Sequence, residues 1–391
     1  MAAVSIYLDA NATTPVLPEV VEAMQPFWAE HFGNPASAHR FGQKARQALE
    51  QAREEVASLL DAEPDEVVFT SGATEANHLA LVGQCPKYPT RLLAAAIEHP
   101  SVWDTVQALL KQGHALQTMR VCPTGEVQVP EERDLQGVGL ATLMLANHET
   151  GAIQPARALA QALGNTPVHI DATQAIGKIP ISFRQLGVTT LCGSAHKFHG
   201  PKGVGLLLIR RGCALQPQHY GGHQQQGRRP GTEAVPLVIG LATALRLTCQ
   251  QRETWQAYLL RLRMLMLEQL QRNAGPFYIN GPDTHAGMVH TLNLSFPGCK
   301  AESLLMRLDL DGVACSAGSA CSSGSLLPSP VLQAMGLAPE RLHSAIRISL
   351  HARLPEEHVR LAGDRISRAV QFLRQQATPT PTASSLQDAA P

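Results

Sequence analysis

Apolar positions along this chain change their spacing several times, and each change predicts a different element. After a short extended piece, Ser5 to Pro15, the residues Val20, Val21, Met24, Phe27 and Trp28 recur at helical spacing and predict a helix over about 18–31. The stretch Gly33 to Ser37 carries turn chemistry, and Ala45, Leu49, Ala52, Val56, Leu59 and Leu60 then form one apolar face of a second helix, about 41–60. From there five short apolar runs alternate with helical or polar segments: 67–69, 92–97, 140–145, 168–170 and 204–209. That alternation predicts an α/β fold, a mostly parallel sheet covered by helices on both faces. The stretch 220–232 is polar and glycine-rich and reads as a long loop. Apolar periodicity over 235–247 and again over 258–270 predicts a broken helical connector, and short strands and helices after Gly275 predict a second, smaller α/β domain.

The expected organisation follows. An N-terminal segment, 1–16, packs with the small domain; a large domain spans 17–260; a small C-terminal domain spans 261–375. The Pro- and Thr-rich tail, 376–391, has no apolar pattern and is expected to be disordered. Two domains also suit the length, because 391 residues exceed the roughly 250–300 at which a single core stops growing.

Charge narrows the function classes. The 32 basic and 32 acidic residues balance, with no block of one sign, so nothing marks a nucleic-acid or anionic-membrane surface. No apolar run reaches the length of about 18 residues needed to span a membrane, and Met1 to Ser5 lacks the pattern of a signal peptide, so a soluble cytoplasmic protein is expected. Eight cysteines are scattered without a Cys-x-x-Cys pair, unlike a zinc site or a disulfide framework, and no intrinsic metal is expected.

In open α/β sheets ligands bind beyond the carboxyl ends of the strands. Those positions hold Ser71 to Thr74, Glu98 and His99, Asn147 to Glu149, and Asp171 to Gln174, while Ser194 to Gly203 delivers Lys197 on a short turn beside the last run. A free lysine has a pKa of about 10.4, so imine formation with a carbonyl cofactor requires burial or a nearby cation. Pyridoxal phosphate demands such a lysine, an acid for its ring nitrogen, an aromatic face and a phosphate cup. Lys197, Asp171 and His99 are candidates for the first three, with Gln174 near the ring hydroxyl. Ala73 and Thr74, where a strand gives way to a helix, offer backbone N–H groups for the phosphate, with Ser194 and His196 completing the cup.

The segments Thr70 to Glu75, Asn147 to Gly151, His169 to Gln174, Ser194 to Gly203 and Arg229 to Thr232 together resemble the cysteine desulfurases, class V aminotransferases of the pyridoxal-phosphate-dependent fold type I. The likeness runs from Tyr7 to about Ala369. It implies that Lys197 forms the imine, Asp171 holds the pyridinium and His99 stacks on the ring. Gln174 and Asn147 would bind the ring or its hydroxyl, and Ala73, Thr74, Ser194 and His196 the phosphate. Thr232 matches the residue that reaches the phosphate of a neighbouring subunit, which implies a homodimer. Arg347 matches the arginine for the substrate carboxylate, with Asn34 and Asn147 assisting.

The small-residue run Ser316 to Ser325 resembles the long mobile loop of the iron–sulfur and nitrogen-fixation type, with Cys321 at the persulfide-forming position. The implied reaction converts L-cysteine to L-alanine and passes the sulfur to an acceptor or iron–sulfur scaffold protein, and Cys321 could transiently ligate a cluster with that partner. Cys315 lies outside the matching position and reads as structural. Ala195 stands where many relatives have glycine, His148 where some have asparagine, and the tail does not resemble the scaffold-docking extension of some relatives. Two other readings share these motifs: a selenocysteine lyase or other class V enzyme, and a non-catalytic sulfur-transfer scaffold.

Overall fold

In the computed structural model of the chain, residues 4–318 and 328–377 are described. The expected disorder of the tail therefore falls outside them from residue 378 onward. After β1 (Ile6–Tyr7) the chain builds a seven-stranded sheet from β2 (Val67–Thr70), β3 (Arg91–Ala95), β4 (Ala115–Met119), β5 (Val138–Met144), β6 (Val168–Asp171), β7 (Thr190–Ser194) and β8 (Gly205–Ile209). Their spatial order is β2-β8-β7-β6-β5-β3-β4, with β8 antiparallel to both neighbours and the other pairs parallel.

Alternation along β8 shows why the sheet is apolar on both sides. Leu206 and Leu208 join the core that holds Leu49 and Val56 of the helix Arg40–Leu59, while Leu207 and Ile209 face Ala76 and Leu79 of the helix Ala73–Gln84. Two strands escape the apolar-run reading. β4 is an edge strand, exposed or half-buried over Ala115 to Thr118 and interrupted by Gln117 and Thr118, and β7 ends in Cys192, Gly193 and Ser194, where no large apolar side chain marks it.

The helix expected over 18–31 is two pieces, Pro18–Met24 and Pro26–Ala29, because Pro26 has no N–H to continue the ladder. The second helix begins at Arg40, with the His39 ring accepting from the Gly42 N–H. The broken connector is a correction: Val235–Asn273 is one continuous helix of 39 residues. The polar turn 250–254 that interrupts the periodicity contains no internal glycine or proline, and it crosses between two cores, where neither face demands an apolar residue.

The second core contains Leu262, Met266 and Leu270 from the far half of that helix. It also takes Leu292 and Leu294 of a small sheet ordered β12-β10-β9, made of β9 (Tyr278–Ile279), β10 (Thr291–Ser295) and β12 (Ala345–Ser349). The N-terminal Ile6 and Leu8 are buried in this core, and β1 pairs in parallel with β11 (Val313–Ala314). The chain then crosses to the large sheet, which carries residues 11–14 over the lysine turn. Among the described residues no helix is long and apolar enough to cross a membrane.

Candidate active site

The parallel strands end on one edge, and the residues just beyond them surround a cavity of about 540 Å³. The short turn Ala195–Lys197 is stopped by His199, whose left-handed backbone (φ 66°) reverses the chain before Gly200. Lys197 Nζ points to the N-terminal segment, donating to the carbonyls of Asn11 at 2.6 Å and Ala12 at 2.9 Å. That segment is itself locked: Asn11 Nδ2 donates to Thr291 Oγ1, and Gln174 Nε2 donates to the Asn11 carbonyl. The small domain thus sets the floor under the lysine.

Asp171 ends β6 and lines the cavity at 5 % exposure. Burial raises its pKa, but hydrogen bonding from Thr173 and Asn77 together with the charge on His99 outweighs it, and the carboxyl titrates below its ordinary range. Behind it stands Asn77, fully buried: Nδ2 donates to Asp171 Oδ2 at 2.9 Å, while Oδ1 lies 2.8 Å from His169 Nε2 and accepts from the Cys192 thiol. Burial draws His169 down to about 4, so it is a neutral partner at neutral pH. Neighbouring Glu98 goes the other way: burial and then the Asp171 charge push its carboxyl well above the usual range. Burial and local contacts thus move the two neighbouring acids in opposite directions.

His99 caps the helix Pro100–Leu110, its Nδ1 accepting from the Ser101 N–H, with the His148 ring edge-on at 5.6 Å. Burial, with Lys197 adding to it, lowers its pKa. Ala73 and Thr74 open the helix Ala73–Gln84 at the cavity wall, beside Ser194, His196 and Lys202. The close approach there requires glycine: a Cβ on Gly205 would stand 2.7 Å from the Gly72 backbone. A helix N-terminus, an imidazole, an aspartate whose pKa is held low and a lysine on one cavity form the set that pyridoxal phosphate needs, and the residues fit that cofactor.

Arg347, on β12, enters the cavity at 3 % exposure. Its Nη2 donates to Asp9 Oδ1 at 2.7 Å and Ser316 Oγ at 2.9 Å, and its Nη1 to the His148 carbonyl at 3.1 Å. Three expected residues stand elsewhere. Asn147 does not line the cavity; its Oδ1 accepts from the N–H groups of Glu149 and Thr150, and its Nδ2 reaches the Ile97 carbonyl, so the amide folds its own turn and His148 faces the site instead. Asn34 is exposed, its Oδ1 accepting from the Ala36 N–H, and it forms a turn. Thr232 is exposed in a groove outside the phosphate cradle that also touches Ser71 and Thr74. Cys321 lies outside the described residues, but Gly318, three residues before it, lines the cavity. Burial pushes the Cys315 thiol up to about 12, which suits a structural thiol.

Sequence reasoning missed Asp9, Asn11 and Asn77. Their sole signal was membership of polar stretches next to quoted motifs.

The class-V aminotransferase family matches residues 6–361. A protein named cysteine desulfurase IscS from Dictyoglomus turgidum is 38 % identical over 376 residues, covering 94 % of this chain and 95 % of its own. A cysteine desulfurase from Trichormus azollae is 40 % identical over 351 residues, 88 % of each chain. Among solved structures, a NifS-like protein superposes with a TM-score of 0.87 at 34 % identity, covering 94 % of this chain and all of that one. A structure titled SspA in complex with cysteine gives 0.77 at 30 % identity, covering 89 % and 99 %. With four of the five motifs meeting on one cavity and a likeness that runs almost from end to end, the chain belongs to the class V aminotransferases, in their cysteine desulfurase family.

Proposed function

We propose that this protein takes sulfur from L-cysteine, leaves L-alanine, and carries the sulfur as a persulfide on Cys321 to an acceptor protein. It is a pyridoxal-phosphate-dependent cysteine desulfurase. The observation that carries the residue assignment is the meeting of Lys197, Asp171, His99 and Arg347 on a single cavity, with the chain leading to Cys321 leaving from its rim at Gly318.

Each side chain has a physical task. Lys197 would hold the cofactor covalently, and its flexible stem lets Nζ return to the substrate α-carbon to move a proton. Asp171, kept ionised by Asn77 and Thr173, would pair with the ring nitrogen; the N-terminus at Ala73 and Thr74, with Ser194 and His196, would hold the phosphate. Bound there, pyridoxal phosphate supplies the electron sink for carbanion chemistry. Arg347 would hold the substrate carboxylate through a charge-assisted hydrogen bond. The Cys321 thiolate then takes the substrate sulfur; the carbon–sulfur bond breaks with its electron pair kept on carbon, and a proton added there completes L-alanine.

A homodimer in which Thr232 completes the neighbour's phosphate site agrees with its exposed place at the end of the polar loop. That loop is braced rather than slack, since the buried Gln225 accepts from Arg53 and the Phe69 N–H, and Arg229 pairs with Glu75 at 2.8 Å. The acceptor is a sulfur carrier or iron–sulfur scaffold protein, and the setting cytoplasmic. Lys197→Ala tests the cofactor assignment: the purified variant should lack the visible absorbance of covalently held cofactor and release no alanine, whereas full activity would refute it.

A further inference from the structure

A second cavity lies behind the active site. Lys197 lines both, and the N-terminal segment runs between them, with Asn11 and Ala12 on the active-site wall and Ala10 and Thr14 on the other. The second cavity holds about 270 Å³, just under the roughly 300–1,000 Å³ of small-molecule sites, so it suits a small occupant. One wall is a single face of the long helix, on which Thr248, Arg252, Trp255 and Leu259 recur at helical spacing. The others come from Gly177 to Ile179 of the large domain and from Met288 to His290 and Leu350 to Ala352 of the small one. The polar turn of the helix thus has a face on this cavity through Arg252.

The lining is cationic and lacks a counter-ion. Lys178, His199, Arg252, His290 and His351 line it, and among the described residues no aspartate or glutamate does. His199 and His290 are 6 % and 4 % exposed. Lys178 Nζ spends one donor on Gln174 Oε1 at 2.9 Å, and an ammonium has others to give. His290 Nε2 lies 2.9 Å from Asn11 Oδ1 and His199 Nδ1 lies 2.9 Å from the Pro15 carbonyl, while His351 Nδ1 is buried with no hydrogen-bond partner among the described residues. Burial lowers the pKa of Lys178 and of all three histidines, and the charges acting on them, those of lysines, arginines and one another, lower it further. Buried cations are ordinarily paired, and these have no acid beside them.

We propose that this interdomain cavity is a second ligand site, separate from the active site, for a small monocarboxylate with an apolar body. The carboxylate supplies the negative charge missing from the cluster of Lys178 and the histidines, and the body covers Trp255, Leu259 and Met288. Trp255 is already held for that contact, its ring packed edge-on against His199 at 5.4 Å. A bare oxyanion such as phosphate would answer the cations and leave the apolar walls wet; a neutral apolar molecule would do the reverse. The site also stands directly behind the catalytic lysine. A chain of hydrogen bonds runs from Lys178 to Gln174, from Gln174 to the Asn11 carbonyl, and from that carbonyl to Lys197 Nζ.

The test is isothermal titration of the holoenzyme with benzoate and with hexanoate, using benzamide as the uncharged counterpart of benzoate. Wild type should bind at least one carboxylate with a Kd of about 1 mM or tighter, and benzamide at least about tenfold more weakly than benzoate. Lys178→Met removes the charge and Val289→Phe fills the cavity; each should weaken carboxylate binding at least about tenfold, with retained cofactor absorbance showing that the variant is folded. Arg347→Ala should bind within about threefold of wild type, because its side chain lines the other cavity. Three results would overturn the proposal: no binding of either carboxylate, equal binding of benzamide and benzoate, or unchanged binding in a folded Lys178→Met or Val289→Phe variant. Loss of binding in Arg347→Ala alone would also overturn it, by putting the carboxylate in the active site.

Discussion

The pairing of Arg347 with Asp9 makes an unusual forecast for an acidic residue beside a carboxylate site: neutralising it should tighten substrate binding. The perturbation is Asp9→Asn, which keeps shape and one acceptor oxygen. The pair is separated by 2.7 Å, with side-chain exposures of 4 % for Arg347 and 19 % for Asp9. Removing one partner of a buried ion pair costs about 3–5 kcal/mol, because the other charge stays buried alone. Asp9 is partly wetted, and Arg347 keeps Ser316 and the His148 carbonyl, so about 2–3 kcal/mol is a fair figure here. A substrate carboxylate supplies the missing negative charge. If it recovers about half of that loss, about 1.4 kcal/mol, affinity rises about tenfold. The assay is KM for L-cysteine together with the melting temperature with and without L-alanine, a ligand bearing the same carboxylate. Asp9→Asn should melt lower than wild type without ligand, gain more from ligand, and show a KM about tenfold lower. An unchanged or raised KM with the same loss of stability would refute the reasoning, because Asp9 would then serve to aim the guanidinium rather than to neutralise it.

Two further outcomes follow from the buried polar groups. Burial, with the charges on Lys197 and Arg347 adding to it, draws Lys178 down from 10.5 to about 7. Across that window the unfolded chain binds a proton that the folded chain has shed, so stability rises with pH and the lysine costs most below pH 7. Lys178→Met should therefore raise the denaturant midpoint at about pH 7 by an amount worth up to ~4 kcal/mol, allowing for water at its partly exposed stem, and have little effect at about pH 10; equal effects at both would refute it. Asn77→Leu strips Asp171 of a 2.9 Å donor and leaves His169 Nε2 without its Asn77 partner, although Nδ1 keeps Thr190, which should cost about 2–4 kcal/mol of stability and weaken cofactor retention about tenfold on dialysis. Wild-type retention would remove Asn77 from the support of Asp171.

Legibility in the sequence tracked how local each signal was. Asp171, His99 and the Ser71 to Thr74 turn were readable because each follows an apolar run, and Lys197 because its turn leads into one; the end of a buried strand is where an α/β sheet presents its chemistry. The partners that tune them were silent. Asn77 meets Asp171 across 94 positions and Asp9 meets Arg347 across 338, and no spacing rule reaches that far. The Asn147 amide has the same composition whether it faces a ligand or closes its own turn, so only geometry distinguishes the two. The long helix was read as broken because its polar turn lies between two cores, a fact about packing that periodicity within one window does not contain.

The central claim concerns the thiol at 321 more than the lysine that holds the cofactor. Its most direct test is a single-turnover reaction of the holoenzyme with L-cysteine and no added acceptor, following L-alanine and protein-bound persulfide together. Wild type should form the two in equal amounts, with the persulfide on Cys321. Cys321→Ser should keep the cofactor absorbance, form no persulfide and lose alanine formation by at least about 100-fold. Undiminished alanine formation by that variant, or a persulfide on another cysteine of the wild type, would contradict the account.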